Sequence, residues 1–143
     1  MNRSKVHITR LGESDRDRTT YFRAVNAIEE AFGVQYPGLY EELRNVSRTI
    51  AGLTDEGVVA GGLIWDKKMQ QEYLTIRFVG VSPKFRMRGV GASLLRSLDE
   101  IAQLMKVEGI EAITREENVN WYLANGYKIG KKRVNMTTMF RTF

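Results

Sequence analysis

Two stretches of this chain combine residue types and spacing that could do chemistry. The first is Arg86-Met87-Arg88-Gly89-Val90-Gly91-Ala92. It follows Val79-Gly80-Val81-Ser82-Pro83, where proline stops a strand from continuing, and it runs straight into a helical apolar periodicity. The first amides of a helix have no partner inside the helix and carry partial positive charge. Glycines at that point let an anionic group approach the backbone, and Arg86 and Arg88 add full charges beside it. Such a turn suits a pyrophosphate. The second stretch, downstream, is Trp121-Tyr122-Leu123-Ala124-Asn125-Gly126-Tyr127. A phenol ordinarily titrates near ~10, so a tyrosine there stays protonated at neutral pH.

Composition removes most other chemistries. Among 143 residues there is no cysteine and one histidine, His7. Disulfide scaffolds, thiolate nucleophiles, cysteine-ligated zinc and multi-histidine metal sites are therefore excluded, and no metal is expected. A Ser-His-Asp triad would have to recruit His7 from the N-terminal strand. No run approaches the roughly 18 apolar residues of a membrane helix, and Met1 to Arg10 lacks the apolar stretch of a secretory signal. The expectation is a cytoplasmic protein with no membrane partner. The net charge of +5 is unevenly placed: Ser82 to Arg96 holds Lys84, Arg86, Arg88 and Arg96 without an acid, and Lys128 to Phe143 holds five basic residues without one. Basic patches attract phosphates or nucleic acid. Without a nucleic-acid reader motif, the second patch reads as a solvated face, and nucleic acid is not expected as a partner.

The elements that must position these stretches follow from periodicity. Lys5 to Leu11 alternates as a strand, and Gly12 to Thr19 reads as a loop. Tyr21, Val25, Ile28 and Phe32 form the apolar stripe of a helix that Gly33 stops. Pro37 opens a short helical stretch with Leu39, Leu43 and Val46 as its buried side. Ser47 to Thr54 and Gly57 to Trp65 form a hairpin across Asp55-Glu56-Gly57, and a turn from Asp66 to Gln71 leads to a strand from Tyr73 to Val81. Leu94, Leu98, Ile101 and Met105 mark a helix to about Val107, followed by a strand from Gly109 to Thr114. A short helix from Asn118 to Asn125, ended by Gly126, precedes strands at Tyr127 to Ile129 and Val134 to Phe140. This order predicts a single α/β domain over residues 1–143, with a mixed, mostly antiparallel sheet flanked by helices.

The glycine turn matches neither a P-loop, since no Gly-x-x-x-x-Gly-Lys-Ser/Thr occurs, nor a dinucleotide fingerprint, since Leu94 stands where a third glycine is needed. It does match Arg/Gln-x-x-Gly-x-Gly/Ala through Arg86-Met87-Arg88-Gly89-Val90-Gly91, and here the chain resembles the GNAT superfamily of acyl-CoA-dependent N-acyltransferases. Trp121 to Tyr127 is similar to that family's Phe-Tyr-x-x-x-Gly-Phe. Met87 departs from the pattern, since many members carry glycine there. The resemblance implies the family's fold, in which the fourth and fifth strands splay apart. It also implies that Arg86, Met87, Arg88, Gly89, Val90, Gly91 and Ala92 surround the pyrophosphate of acetyl-CoA. Backbone groups of Val79 and Val81 would pair with the pantetheine arm, with Gly80 allowing a local bulge.

On the same resemblance, the activity is direct transfer of an acetyl group from acetyl-CoA to a primary amine of a small molecule or protein. A neutral amine attacks the thioester, a strand amide near Val79 stabilises the oxyanion, and Tyr122 protonates the departing thiolate. Asn118 either reaches the cofactor or caps a helix. Trp121 and Tyr127 read as core. Members with a carboxylate base on the fourth strand hold it where this chain has Thr75, which cannot act as a base. Glu72 lies on the opposite strand face, and Glu116 and Glu117 read first as charge at a helix start. No base is named. Tyr36, Tyr40, Glu41 and Glu42 would line an acceptor site suited to a cationic amine, or simply a helix surface. The missing base keeps an alternative open, a catalytically weak or inactive CoA-binding or sensory module. A homodimer is likewise left open.

Overall fold

The computed structural model describes residues 5–68 and 70–143, so residue 69, within the turn expected at 66–71, lies outside the described residues. The chain forms two compact units. One comprises residues 5–65 and 78–97; the other comprises residues 66–77 and 98–143. Seven strands form one sheet in the order β1-β2-β3-β4-β5-β7-β6. The fourth strand, β4 (Tyr73–Val81), contributes its first half to the second unit and its last four residues to the first.

In the first unit β1 (Val6–Arg10), β2 (Thr49–Thr54) and β3 (Val59–Asp66) pair antiparallel, with a register shift between Gly52 and Leu53. The expected hairpin turn is present: Gly57 N–H donates to Thr54 C=O at 2.9 Å, and Val58 N–H to Thr54 Oγ1 at 3.0 Å. Helix α1 (Asp15–Phe32) begins six residues earlier than Tyr21, inside the stretch read as a loop. The reason is a reciprocal cap: Ser14 Oγ accepts from Asp17 N–H at 3.1 Å, and the Asp17 carboxylate accepts from Ser14 N–H at 3.4 Å. The Ser14 hydrogen bond holds the Asp17 carboxyl below its ordinary value. Gly33 ends the helix in left-handed geometry, as expected. Tyr21, Val25 and Ile28 are buried, but Phe32 is 44 % exposed. Helix α2 (Pro37–Glu41) is short, and a 3-10 turn at Leu43–Arg48 replaces its continuation and takes the first two residues expected of β2. That change of period turns Leu43 outward, 45 % exposed, while Leu39 and Val46 stay buried.

Small residues set how closely α1 lies on β3 and β4. A Cβ on Gly62 would stand 2.9 Å from the Ala24 Cβ, and one on Gly80 would stand 2.9 Å from the Ala31 Cβ and 3.1 Å from the Ile28 Cα. Gly80 is therefore required by the packed helix, a reason for it that strand periodicity does not reveal.

In the second unit β4 pairs parallel with β5 (Gly109–Thr114), from Tyr73↔Gly109 to Ile76↔Ala112. The ladder ends there although both strands run on, which is the expected parting of the fourth and fifth strands. Antiparallel β7 (Thr137–Thr142) follows β5, and β6 (Lys128–Lys132) forms the edge. These last two strands begin later than the sequence pattern implies. Tyr127 is buried ahead of β6, and Arg133 and Met136 exchange backbone hydrogen bonds across a turn that leaves Val134 98 % exposed. Helix α3 (Val90–Leu104) spans both units, its second half contributing buried Leu98 and Ala102 to the second. Met105 falls beyond its end and is exposed. Helix α4 (Val119–Ala124) follows a 3-10 turn at Glu116–Asn118.

A Gly80→Ala substitution tests the close approach of α1. The added methyl meets helix backbone rather than a flexible side-chain tip, so stability should fall by about 1–3 kcal/mol, the usual range for overpacking. Urea denaturation should show this as a lower midpoint at unchanged slope.

Candidate active site

The turn from β4 into α3 lies within the first unit. Val79 and Val81 are half-buried on either side of buried Gly80. Ser82 N–H donates to Ala60 C=O at 2.8 Å, and Ser82 Oγ donates to the Glu30 carboxylate at 2.9 Å, so the chain leaving β4 is tied to both β3 and α1. Pro83–Phe85 form a 3-10 turn. Arg86 is exposed and donates through Nη2 to Ala31 C=O, 3.2 Å away near the end of α1. The Arg88 guanidinium lies 5.1 Å from the centre of the Phe85 ring.

Two residues of the turn take left-handed backbone: Met87 at φ 65° and Gly89 at φ 74°. For a residue with a side chain this geometry costs roughly 1–2 kcal/mol, and glycine avoids the cost. Glycine at position 87 would avoid that cost. Here methionine is tolerated with its side chain 99 % exposed, so it is strained but unclashed. Helix α3 starts at Val90, which is buried and packs towards β2, where a Cβ on Gly52 would stand 3.2 Å from its Cγ1. Ser93 N–H donates to Gly89 C=O at 3.0 Å, so the amides of Val90, Gly91 and Ala92 precede the helical ladder. The residues expected at a pyrophosphate are thereby gathered into one turn, with amides that have no partner among the described residues and two arginines.

The second unit holds the aromatic motif. Tyr122 is buried on α4, its ring centre 4.9 Å from that of Trp121 and 5.3 Å from that of Tyr127. Burial pushes its hydroxyl up to about 12, so it stays protonated. Tyr127 is buried with its hydroxyl unpartnered among the described residues, while Trp121 is half-buried; the core reading fits Tyr127 better. Gly126 is explained by its neighbour: at φ 90°, a Cβ would stand 2.3 Å from Arg141 Nη1. That arginine is held by Asp99, Nε to Oδ2 3.1 Å. Asn118 occupies the cap position of α4 but its side chain makes no capping hydrogen bond, so the cap reading lacks the contact that would justify it.

Of the acids considered, Glu72, Glu116 and Glu117 are exposed. Thr75 instead donates through Oγ1 to Glu111 Oε1 at 3.1 Å, bringing a carboxylate that the sequence pattern did not single out to the Thr75 position. Only the β4–β5 register reveals it.

In the first unit the aromatic residues of the α1–α2 region are gathered around Glu29 rather than Glu41 or Glu42. Glu29 Oε2 accepts from Tyr36 N–H at 2.7 Å, Oε1 accepts from the Tyr40 hydroxyl, and that hydroxyl also meets Asn26. Burial first, then the Glu29 bond and charge, push the Tyr40 hydroxyl up to about 12. The Tyr36 ring stands edge-on to Phe78, with centroids 4.9 Å apart. Glu41 is exposed, and Glu42 accepts from Asn45 Nδ2 at 3.1 Å.

Among the described residues, no group of three or more His, Cys, Asp or Glu side chains is placed to hold a metal ion, and no helix is long and apolar enough to cross a membrane. No curated protein matches the chain. Among solved structures it is similar to Ard1 from Thermoplasma volcanium, with TM-score 0.78 and 17 % identity over 96 % of this chain and 97 % of that one. It is similar also to the PaiA N-acetyltransferase from Thermoplasma acidophilum, solved with coenzyme A, with TM-score 0.71 and 14 % identity over 97 % and 99 %. A third similar structure is N-acetylglutamate synthase from Neisseria gonorrhoeae, complexed with coenzyme A and N-acetyl-glutamate: TM-score 0.74, 16 % identity, 99 % of this chain but 36 % of that longer one. At such identities these likenesses speak for the fold. The family model for an acetyltransferase (GNAT) domain matches residues 47–129, from the end of the 3-10 turn before β2 into β6 and so through both motifs. With more than half of its length matched, the chain belongs to the GNAT acetyltransferase family.

Proposed function

We propose that this protein transfers an acetyl group from acetyl-CoA to a primary amine of a small molecule or a protein. The observation that carries this reading is the turn at Arg86 to Ala92, where left-handed Met87 and Gly89 deliver three unpaired amides and two arginines to one place. That arrangement is chemically suited to the pyrophosphate of a CoA thioester. Family membership supports it, as do similar structures solved with coenzyme A. In this reading Arg86, Met87, Arg88, Gly89, Val90, Gly91 and Ala92 surround the diphosphate, and backbone groups of Val79 and Val81 pair with the pantetheine arm. For Asn118 the cofactor reading stands beside the helix-cap reading, for which its side chain makes no capping hydrogen bond.

The amine enters neutral and attacks the thioester carbonyl carbon. A β4 amide near Val79 donates to the oxyanion as it forms. The carbon–sulfur bond then breaks, and the Tyr122 hydroxyl donates to the sulfur. A phenol raised to about 12 is a reluctant proton donor, so its help is mainly a hydrogen bond to the developing thiolate. The thiolate is a fair leaving group in its own right.

Acetyl-CoA should raise the melting temperature, because a ligand that binds only the folded state stabilises it. Absence of any shift with millimolar CoA and acetyl-CoA would count against the reading. Gly91→Glu should leave a folded protein that has lost this shift, since a carboxylate would occupy the pyrophosphate space and oppose its charge. Tyr122→Phe keeps the ring and removes the hydroxyl. Acceptor-dependent thiol release should fall by about 10², the lower end of general acid catalysis, at nearly unchanged acetyl-CoA affinity. A rate within about threefold of the parent would return Tyr122 to the core.

A further inference from the structure

Glu111 is a carboxylate for which strand packing gives no reason. It stands in β5 between buried Ile110 and Ala112, so strand alternation turns it to the other face of the sheet. Its register partner on β4 is Thr75, one pair before the parallel ladder ends at Ile76↔Ala112. Its partner on β7 is Phe140. Register partners share a face, so Thr75, Glu111 and Phe140 form a row across the second unit's sheet, and Ile113 two residues on is exposed on that face. Glu111 is half-buried, and Thr75 Oγ1 holds its Oε1 at 3.1 Å. Among the described residues, Oε2 makes no hydrogen bond and no ion pair. A carboxylate oriented by one hydrogen bond, with its second oxygen unengaged beside an open face, is placed to take a proton.

We propose that Glu111 is the general base of the acetyl transfer and that Thr75 is the residue that positions it. The proposal rests on the acetyltransferase reading given above. It fills the gap left by Thr75, which cannot accept the proton itself but borrows a carboxylate from the adjacent strand. As the neutral amine's nitrogen bonds to the acetyl carbon, its proton passes to Glu111 Oε2, directly or through one water. The carbon–sulfur bond breaks with the Tyr122 hydroxyl hydrogen-bonded to the departing thiolate, which takes its proton from solvent, and acetylated amine and CoA thiol leave. Glu111 returns to its starting state by giving its proton to solvent. No oxidant, metal or further reactant is required.

The test measures thiol release from acetyl-CoA by the full chain, using whichever amine or peptide of a panel the parent acetylates fastest, alongside the acetyl-CoA thermal shift. Glu111→Gln preserves shape and an oxygen for Thr75, so it should keep the thermal shift and lower kcat by about 10² to 10⁴. Thr75→Val keeps the branched shape and removes the hydrogen bond. It should lower kcat by about tenfold with KM little changed, a loss of orientation rather than binding. Thr75→Glu combined with Glu111→Gln returns a carboxylate to β4 and should recover at least about tenfold over Glu111→Gln alone. If kcat for Glu111→Gln stays within about threefold of the parent, the base assignment falls while acetyl transfer stands. Should that variant lose the thermal shift, Thr75→Val decides, and an unchanged kcat overturns the proposal. A parent that binds acetyl-CoA but releases thiol no faster with any acceptor of the panel than without one overturns the transfer reading and the base together.

Discussion

The chain must leave β4 at Val81 and be travelling as a helix by Val90, and that short reversal governs the rest of the first unit. Two residues adopt left-handed backbone to achieve it, and the amides that open α3 are left without carbonyl partners. Such a turn keeps its shape only if its flanks are fixed. Ser82 is bonded to β3 and to Glu30, Arg86 reaches the Ala31 carbonyl, and Val90 is buried towards β2. Preorganisation of this kind matters for binding, because amides already aimed at a ligand need not be ordered when it arrives.

The second unit meets a different demand, holding one phenol in an apolar setting. Three aromatic rings crowd around α4, and Tyr127 N–H donates to Tyr122 C=O at 3.0 Å to close the helix end. The same burial that fixes the ring raises its pKa to about 12, so the hydroxyl is dependable as a donor of a hydrogen bond but weak as a donor of a full proton.

Much of this was legible in the sequence because the relevant signals are local. β4 and β5 match the expected boundaries at both ends, since proline, glycine and β-branched residues bracket them. The turn from Arg86 to Ala92 could be read because charge, glycine and a change of period coincide within a few residues. What failed to show depends on distant partners. The start of α1 was hidden in a polar run whose meaning lies in the reciprocal bonds of Ser14 and Asp17. Gly80 reads as a flaw in a strand until Ala31 and Ile28 are seen above it. Glu111 looks like an ordinary outward-facing acid, and only the pairing of β4 with β5 sets it against Thr75 across 36 positions of sequence.

The edge strand β6 bears on how copies of this protein meet. Every residue from Lys128 to Lys132 is exposed, and β6 ends the strand order, so among the described residues one side of its backbone has no neighbouring strand. An open edge of that sort is a template for another chain to pair with, and such pairing is how many sheet proteins aggregate. Lys128, Lys131 and Lys132 work against it, since antiparallel pairing of two such edges would bring like charges together, and residues 128–143 contain no acid. The protection is electrostatic and therefore conditional. At about 1 M salt the screening length shrinks to roughly 3 Å, and the same edge loses much of the repulsion that keeps it single.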